Sequence, residues 1–483
     1  MVEIAHSLMR AKYDAAQTTA DNRNHWINAD NLSARAANDP ATRARLRQRS
    51  RYEVANNSWA RGMVLTLAND TIGSGPRPQM LGADKTANRV IEKEFLAWAK
   101  TIDLAGKLRT MRMAKVQDGE TFAVLTNNPE LPTRVKLDIR LIEADQVASP
   151  AMTLTGADLE TEVDGIKFDS FGNPISYSIL RNHPGGDGFA TDARNESAQN
   201  VIHWFRSDRP GQARAVPELT AALPLFALLR DFTLATLDAA KLAAMITAVI
   251  KSNGSADSSE GESVPFTEVD IPRNTMLTLP DGYGMEQFRS EHPTSTFVDF
   301  TTAILNEIAR CLNMPLNVAM ANSARYNYAS GRMDHQVYFK SIQVERMHIE
   351  CVVLDRIFAA WLDEALKIEN YLNVGVISAE HAWFWDGREH VDPAKEANAQ
   401  ETRIGNGTSH RPREYALLGL DCDEQDEIAA TSYGITVAEY RKALFVKQIG
   451  QAAAQAKLAD ATDPQDDTDP VDPADAEDVA NAA

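Results

Sequence analysis

The chain has 483 residues, 44% hydrophobic and 24% charged, which is enough apolar surface for several folded regions and enough charge for solubility. A formal net charge of −19 argues against a protein that grips nucleic acid by neutralising phosphates along a broad basic face. Cys311, Cys351 and Cys422 lie far apart without ligand spacing, so neither a disulfide framework nor a zinc site is expected, and a reducing compartment fits.

No charged-then-apolar signal pattern opens the chain, so the protein is expected to stay in the cytoplasm where it is made. Residues 1–72 read as helices interrupted at 30–39, with Tyr52, Ala55, Trp59, Met63 and Leu67 as an apolar stripe at helical spacing. Arg43, Arg45, Arg47, Arg49 and Arg51 form a basic run ahead of the stripe. A solvated helix face is the expected reading, and contact with DNA or an acidic partner is the other.

The cluster Gly73-Ser74-Gly75-Pro76 stops that helical region, and a second stretch runs from about Lys85 to Gln117. Val135, Leu137, Ile139 and Leu141 then alternate with polar residues, as in a strand with one buried face. Residues 165–168 and 174–179, joined by Ser170-Phe171-Gly172-Asn173, predict a hairpin. Residues 217–250 are helical and alanine-rich, and residues 233–250 contain Asp238 and Lys241, which speaks against a membrane span. A polar loop follows at 253–263, and residues 264–288 alternate strand-like runs with Pro and Gly.

A second helix is expected from about Thr294 to before Pro315, then a loop through Arg332. Residues 333–374 lack Gly and Pro, and the 34 best-patterned of them would span roughly 50 Å as one helix, a length suited to a spine. Shorter helices are expected to about Gln455. The tail from Leu458 carries nine acidic and no basic residues among Asp-Pro repeats, and is expected to be disordered.

Catalytic motifs are missing. Gly106-Lys107-Leu108 lacks the earlier glycine and the hydroxyl of a phosphate-binding loop, and no His-Glu-x-x-His pair or Gly-x-Ser-x-Gly elbow occurs. His335 and His348 are too far apart to share a metal locally. Ser432 to Leu444, with Gly434 in the middle, has a loose helix-turn-helix look that any short two-helix hairpin shares. No catalytic residue, cofactor or metal is expected.

Arg209-Pro210-Gly211-Gln212, just after Ile202-His203-Trp204-Phe205, resembles a segment of the lambda-type phage portal proteins that precedes a long alanine-rich helix. Other motifs follow in the family's order. Residues 59–78 resemble its "N…G…GxGxRPQ" region, Asp118-Gly119-Glu120 its "DGE" turn, residues 141–147 its "LIxADxI", and residues 165–177 its "GIxxDxxGxPxxY" hairpin. Residues 327–332 are similar to "NYSSAR", with Ala329 and Gly331 in place of Ser and Ala, and residues 391–396 to "xDPxKE". Gly331 is expected to loosen the start of the spine, since glycine costs about 1 kcal/mol relative to alanine within a helix.

The resemblance implies an α+β, mainly helical chain with portal architecture in a cyclic homo-oligomeric ring, commonly of twelve subunits. Its parts would be a wing at 1–220, a first stem helix at 221–252, a clip at 253–291 and a second stem helix at 292–315. A tunnel loop at 316–332, a spine helix at 333–375, a crown at 376–455 and the acidic tail at 456–483 would follow. Arg325, Tyr326, Asn327, Tyr328 and Arg332 are the candidate channel residues, as direct DNA contacts or as a structural hinge, and Arg230, Asp238 and Lys241 are candidate stem residues.

The implied partners are other copies of the chain, double-stranded DNA in transit, the terminase large subunit, the major capsid or scaffold protein and the neck proteins, with no membrane. The implied location is the capsid portal vertex of the virion, with host cytoplasm during assembly. Another structural ring of the head-neck connector, or an enzyme of the packaging motor, would be the alternatives.

Overall fold

The computed structural model describes residues 19–149, 162–186, 192–245, 249–252, 283–286, 296–324, 326–372, 379–387, 392–447 and 450. The expected clip, apart from 283–286, lies outside the described residues, as do Arg325 and the acidic tail.

Helix α1 (Ala34–Ala37) is a single turn within the expected interruption, capped by Ser33, whose side chain accepts the Ala36 N–H. Helix α2 (Pro40–Asn56) starts where the Asp39 carboxylate accepts the N–H groups of Ala41 and Thr42, with Pro40 pre-set for the first turn. The apolar stripe does not run through one helix. Asn57 is extended, and its Oδ1 accepts the Trp59 N–H at 3.0 Å, opening α3 (Ser58–Ile72). Tyr52 is therefore exposed, while Met63 and Leu67 are buried.

Strand β1 (Arg77–Met80) follows. The single helix expected over 85–117 is two, α4 (Lys85–Thr101) and α5 (Leu104–Asp118). Between them Asp103 takes a left-handed conformation, φ 52°, and caps α5 through the Gly106 N–H. Gly119, φ 90°, ends α5, and a Cβ there would collide with the Val216 carbonyl, so the turn into β2 (Glu120–Asn127) requires glycine. Strand β3 (Leu137–Ile142) covers the expected alternation.

Strands β4 (Glu162–Val163), β5 (Ile166–Phe168), β6 (Pro174–Leu180), β7 (Ala193–Ser197) and β8 (Val201–Phe205) follow. The predicted hairpin is β5–β6. Helix α6 (Leu223–Met245) is shorter than the expected stem helix. Residues Val249–Ser252 form strand β9, which pairs antiparallel with β10 (Tyr283–Glu286). The β-branched pair Val249-Ile250 suits that change.

Helix α7 (Thr296–Cys311) falls within its expected span, and α8 (Leu316–Ala319) is one turn inside the expected loop. Helix α9 (Tyr328–Ile349) begins five residues before the expected spine, because Asn327 accepts the Ser330 N–H and nucleates the turn. Tyr328 and Arg332 are thus helical, not loop. The spine continues through a π-helical turn at Glu350–Leu354 into α10 (Asp355–Lys367) and ends there, with Ile368 extended, short of the expected residue 375.

Strand β11 (His381–Phe384) and helices α11 (Pro393–Gly405), α12 (Arg411–Leu417) and α13 (Cys422–Tyr433) complete the named elements. Gly434, φ 66°, then turns the chain into helical residues 437–447, the short two-helix hairpin read from the sequence.

The chain divides into two compact units, Met1–Ile72 with Ala97–Asn373, and Gly73–Leu96 with Val374–Ala483. In the first, antiparallel sheets of order β3-β2-β8 and β4-β5-β6-β7 share a core of Phe122, Val124, Ile166, Tyr177 and Val201. Its helical core joins Met63 and Leu67 of α3, Phe226 of α6, Leu305 and Ile308 of α7, and Tyr338 and Ile342 of α9. In the second unit β1 pairs antiparallel with β11, and Phe95 packs edge-on against Trp383. Asp426 there takes ion pairs from both Arg411 and Arg441. The mainly helical α+β class expected from the sequence holds.

Candidate functional site

Helices α6 and α7 leave the helical core as a pair. Leu223, Phe226 and Leu229 are buried against Leu305, Ile308 and Leu312 at its base. Farther along, Phe232 stacks on Phe297 at 5.6 Å and meets Phe300 edge-on at 4.9 Å. Outside that base the pair carries apolar residues open to solvent: Leu228, Leu234, Leu237, Val298 and Phe300 are all half or more exposed. Exposed apolar surface of this kind marks a binding face.

The helical residues Thr220–Lys241 are long and apolar enough, by length and composition, to cross a membrane, with mean hydropathy 1.3. The sequence-level exclusion weighed residues 233–250, a window placed too late to include the apolar start of this helix. The two carboxylate and ammonium groups it relied on, Asp238 and Lys241, pair with each other at 3.1 Å on the exposed surface. Arg230 is different. It reaches the buried carboxylate of Glu53 on α2 at 2.6 Å and lies over the Tyr52 ring at 5.4 Å, so it ties α6 to α2.

The segment from Pro315 to Arg332 is held by its own backbone bonds. Asn317 is buried, with Nδ2 2.9 Å from His335 Nε2 on α9, and its carbonyl accepts the Asn322 N–H. Tyr326 donates its N–H to Ser323 O, and Asn327 serves as the α9 cap, which makes it a structural residue. Tyr328 and Arg332 are exposed on the first turn of α9. The structure does not bring these candidates together with Asp238 or Lys241 in any contact among the described residues. His335 and His348 have separate partners, Asn317 for the first and the Trp204 indole N–H at 3.3 Å for the second.

Two buried ion networks, missed from sequence, brace this arrangement. Ahead of α6 Glu218 accepts from Arg112 Nη1 at 3.0 Å and from Lys115 Nζ at 3.1 Å, and Lys115 also reaches Glu345 of α9 at 2.5 Å. Burial pushes the Glu218 carboxyl up, but Arg112, Lys115 and Arg206 outweigh it and hold the pKa at about 2. The second network centres on Glu120, which is wholly buried. Arg214 Nε lies 2.9 Å from both its oxygens, Arg47 pairs with it, and His203 Nε2 is 3.1 Å away.

Against the cost of burial, Arg214, His203 and Arg47 keep Glu120 ionised, well below the usual carboxylate range. Burial in turn keeps His203 neutral, below its usual range despite the carboxylate. An ionised Glu120 only accepts, so His203 Nε2 must carry the proton. The basic run is thereby corrected. Arg43, Arg47 and Arg51, at steps of four, turn inward to Asp164, Glu120, Asp118 and Asp145, with Arg51 half-buried, and Arg45 and Arg49 are exposed. Step-four spacing placed the three on one face, but their acidic partners lie about 70 to 120 residues away in sequence.

Among the described residues Glu143, Asp145 and His183 place ligand atoms within 4.8 Å of one another. They do not fit a metal. Arg51 Nη2 already sits 2.6 Å from Asp145 Oδ2, and His183 Nδ1 accepts the Gly185 N–H at 2.9 Å, so in the neutral ring Nε2 carries the hydrogen and offers no lone pair.

Residues 20–346 match the family model described as phage portal protein, lambda family. A probable portal protein of Halomonas phage phiHAP-1 is 25% identical over 402 residues, covering 74% of this chain and 74% of that one. Among solved structures, a chain in the neck of an empty gene transfer agent particle, computed with C6 symmetry, is 15% identical, covers 77% of this chain and 92% of its own, and has a TM-score of 0.49. One from the neck of a native particle, computed with C12 symmetry, is 14% identical over 83% and 99%, also with a TM-score of 0.49. A portal protein of the HK97 family from Corynebacterium diphtheriae is 13% identical over 64% and 96%, with a TM-score of 0.29. The family model spans well over half of the sequence, and the chain belongs to the lambda family of phage portal proteins.

Proposed function

We propose that copies of this chain, twelve by family resemblance, close into a ring at one capsid vertex of the virion and form the channel through which double-stranded DNA enters and leaves. The ring assembles in host cytoplasm and works as a conduit without a catalytic site. The observation that carries the reading is the α6–α7 pair, whose apolar residues Leu234, Leu237, Val298 and Phe300 find no full cover among the described residues. Neighbouring copies supply that cover, and no membrane is needed. The acidic balance of the chain suits a channel, because DNA slides past a surface that does not hold its phosphates.

In this reading residues 1–220 with the spine form the wing against capsid or scaffold protein, and α6 and α7 form the stem. The chain between them is the clip that docks the terminase large subunit and later the neck proteins, residues 376–455 the crown, and the acidic tail is dispensable. Light scattering on the purified chain is expected to give a mass many times 53.1 kDa. A stable monomer at micromolar concentration would reject the ring.

Residues 316–332 lie at the channel constriction, where Arg325, Tyr326, Tyr328 and Arg332 face passing DNA without reading its sequence. Particles carrying Arg325→Ala with Tyr326→Ala are expected to form in normal number and to package or retain less DNA. Full packaging by such particles would remove these two residues from the DNA path. Asn327→Ala tests the hinge role instead, with an expected loss of about 1 kcal/mol of stability from the uncapped α9.

A further inference from the structure

The spine carries two stripes. Tyr338, Ile342 and Ile349 are buried against the rest of their unit, as a core stripe should be. Met333, Val337, Lys340, Val344, Met347 and Cys351 recur in alternating steps of four and three residues, the spacing of a coiled-coil seam, and every one of them is exposed. Met333, Val337, Val344 and Met347 are 69%, 63%, 58% and 60% exposed, values that belong to an uncovered interface and not to a solvated face made of apolar residues by chance. The stripe is about 27 Å long at the rise of an α-helix.

We infer that this stripe seats a second copy of the chain, through the exposed face of that copy's α6. The inference rests on the ring reading above and gives it a contact. A ring needs a heterologous interface, two different surfaces on one chain that fit each other. Two uncovered apolar helix surfaces are present on the first unit, the spine stripe and the face of α6 on which Leu234 and Leu237 lie exposed.

Their charges are complementary. The spine stripe is interrupted by one cation, Lys340, between Val337 and Val344. On α6, Asp231, Leu234, Asp238 and Lys241 follow one another at steps of three, four and three, so that Leu234 is flanked by two exposed carboxylates. Asp238 already pairs with Lys241, which leaves Asp231 as the counter-charge for Lys340. A single charged residue in an apolar seam sets the register of the partner helix.

The test uses the full chain. Val337→Glu with Met347→Glu changes side chains that a single copy leaves in water, so thermal unfolding of the dissociated chain should match wild type, while light scattering falls to the 53.1 kDa species. Phe171→Glu, at an 89% exposed position on the β5–β6 hairpin, should leave assembly intact. Lys340→Glu should raise the half-assembly concentration on the order of tenfold or more, since like charges then face each other, and Asp231→Lys in the same chain should restore it. Cys351, at the end of the stripe, should resist maleimide in assembled wild type and react after dissociation, as read by peptide mapping.

Assembly of the double glutamate variant at wild-type concentration, with Cys351 still reactive, would overturn the inference while leaving the ring reading standing. Loss of assembly without rescue by Asp231→Lys would overturn α6 as the seat and point to another surface or another protein on the stripe. A wild-type chain that never assembles would instead reject the ring itself.

Discussion

Replacing Arg214 by alanine is expected to cost the first unit about 3–5 kcal/mol, the range for removing one partner of a buried ion pair. The guanidinium is almost wholly buried and gives Glu120 its principal counter-charge. It also donates to the backbone carbonyls of Val147, Asp164 and Ala144 and lies over the Phe122 ring at 5.3 Å. Alanine therefore takes the principal counter-charge from a buried carboxylate, leaving it Arg47 and His203, and removes a donor from three carbonyls at once. Arg214→Lys should recover only part of the loss, because a point charge cannot reach those groups simultaneously. Urea unfolding at pH 7 measures both variants. A loss below about 1 kcal/mol for Arg214→Ala would mean that water enters and satisfies the network.

That network explains what could be read ahead of the structure and what could not. Local rules sufficed where one residue type acts on its neighbours: the alternation at Val135–Leu141 became β3, and the turn at 170–173 became the β5–β6 hairpin. Strand β2 escaped because its first five residues are all buried, which erases the period of two that identifies a strand. The helix breaks at Asn57 and Asp103 turn on single polar side chains competing for backbone N–H groups, and such a residue inside a helical pattern gives only a weak warning. The start of α9 was legible, since Asn327 followed by Ser330 is a capping signature, but the expected loop was drawn across it.

Arg43, Arg47 and Arg51 show the limit most clearly. Their spacing fixed a common face, but a basic helical face is usually solvated, and the carboxylates that draw it inward arrive only with the tertiary fold. The candidate channel residues were placed by family resemblance; of those described, Asn327 is the α9 cap and Tyr328 and Arg332 are helical. Arg230, a candidate stem residue by resemblance, ties α6 to Glu53 of α2.

Acid is expected to loosen the packing at the start of α6 before any contact between copies is considered. Glu218 precedes α6, donates its N–H to Val116 O and accepts the Cys311 thiol at its carbonyl, so its position ties α5 and α7 to the start of α6. Its folded pKa of about 2 lies below the ordinary glutamate value of 4.5. A depressed carboxylate contributes stability that is fully present above the unfolded pKa and is lost as pH falls through the folded one. The window is therefore pH 4.5 down to 2, and a shift of that size corresponds to roughly 3 kcal/mol, most of it gone by pH 2.5. Glu120, also held low by its partners, pushes in the same direction. Denaturant midpoints recorded from pH 6 to 2.5 should fall steeply for wild type and less steeply for Glu218→Gln, which starts lower at pH 6 because Arg112 and Lys115 have lost a counter-charge. Parallel pH curves for the two proteins would show that Glu218 titrates alike in the folded and unfolded chains, and the first unit would then owe its acid sensitivity to other groups.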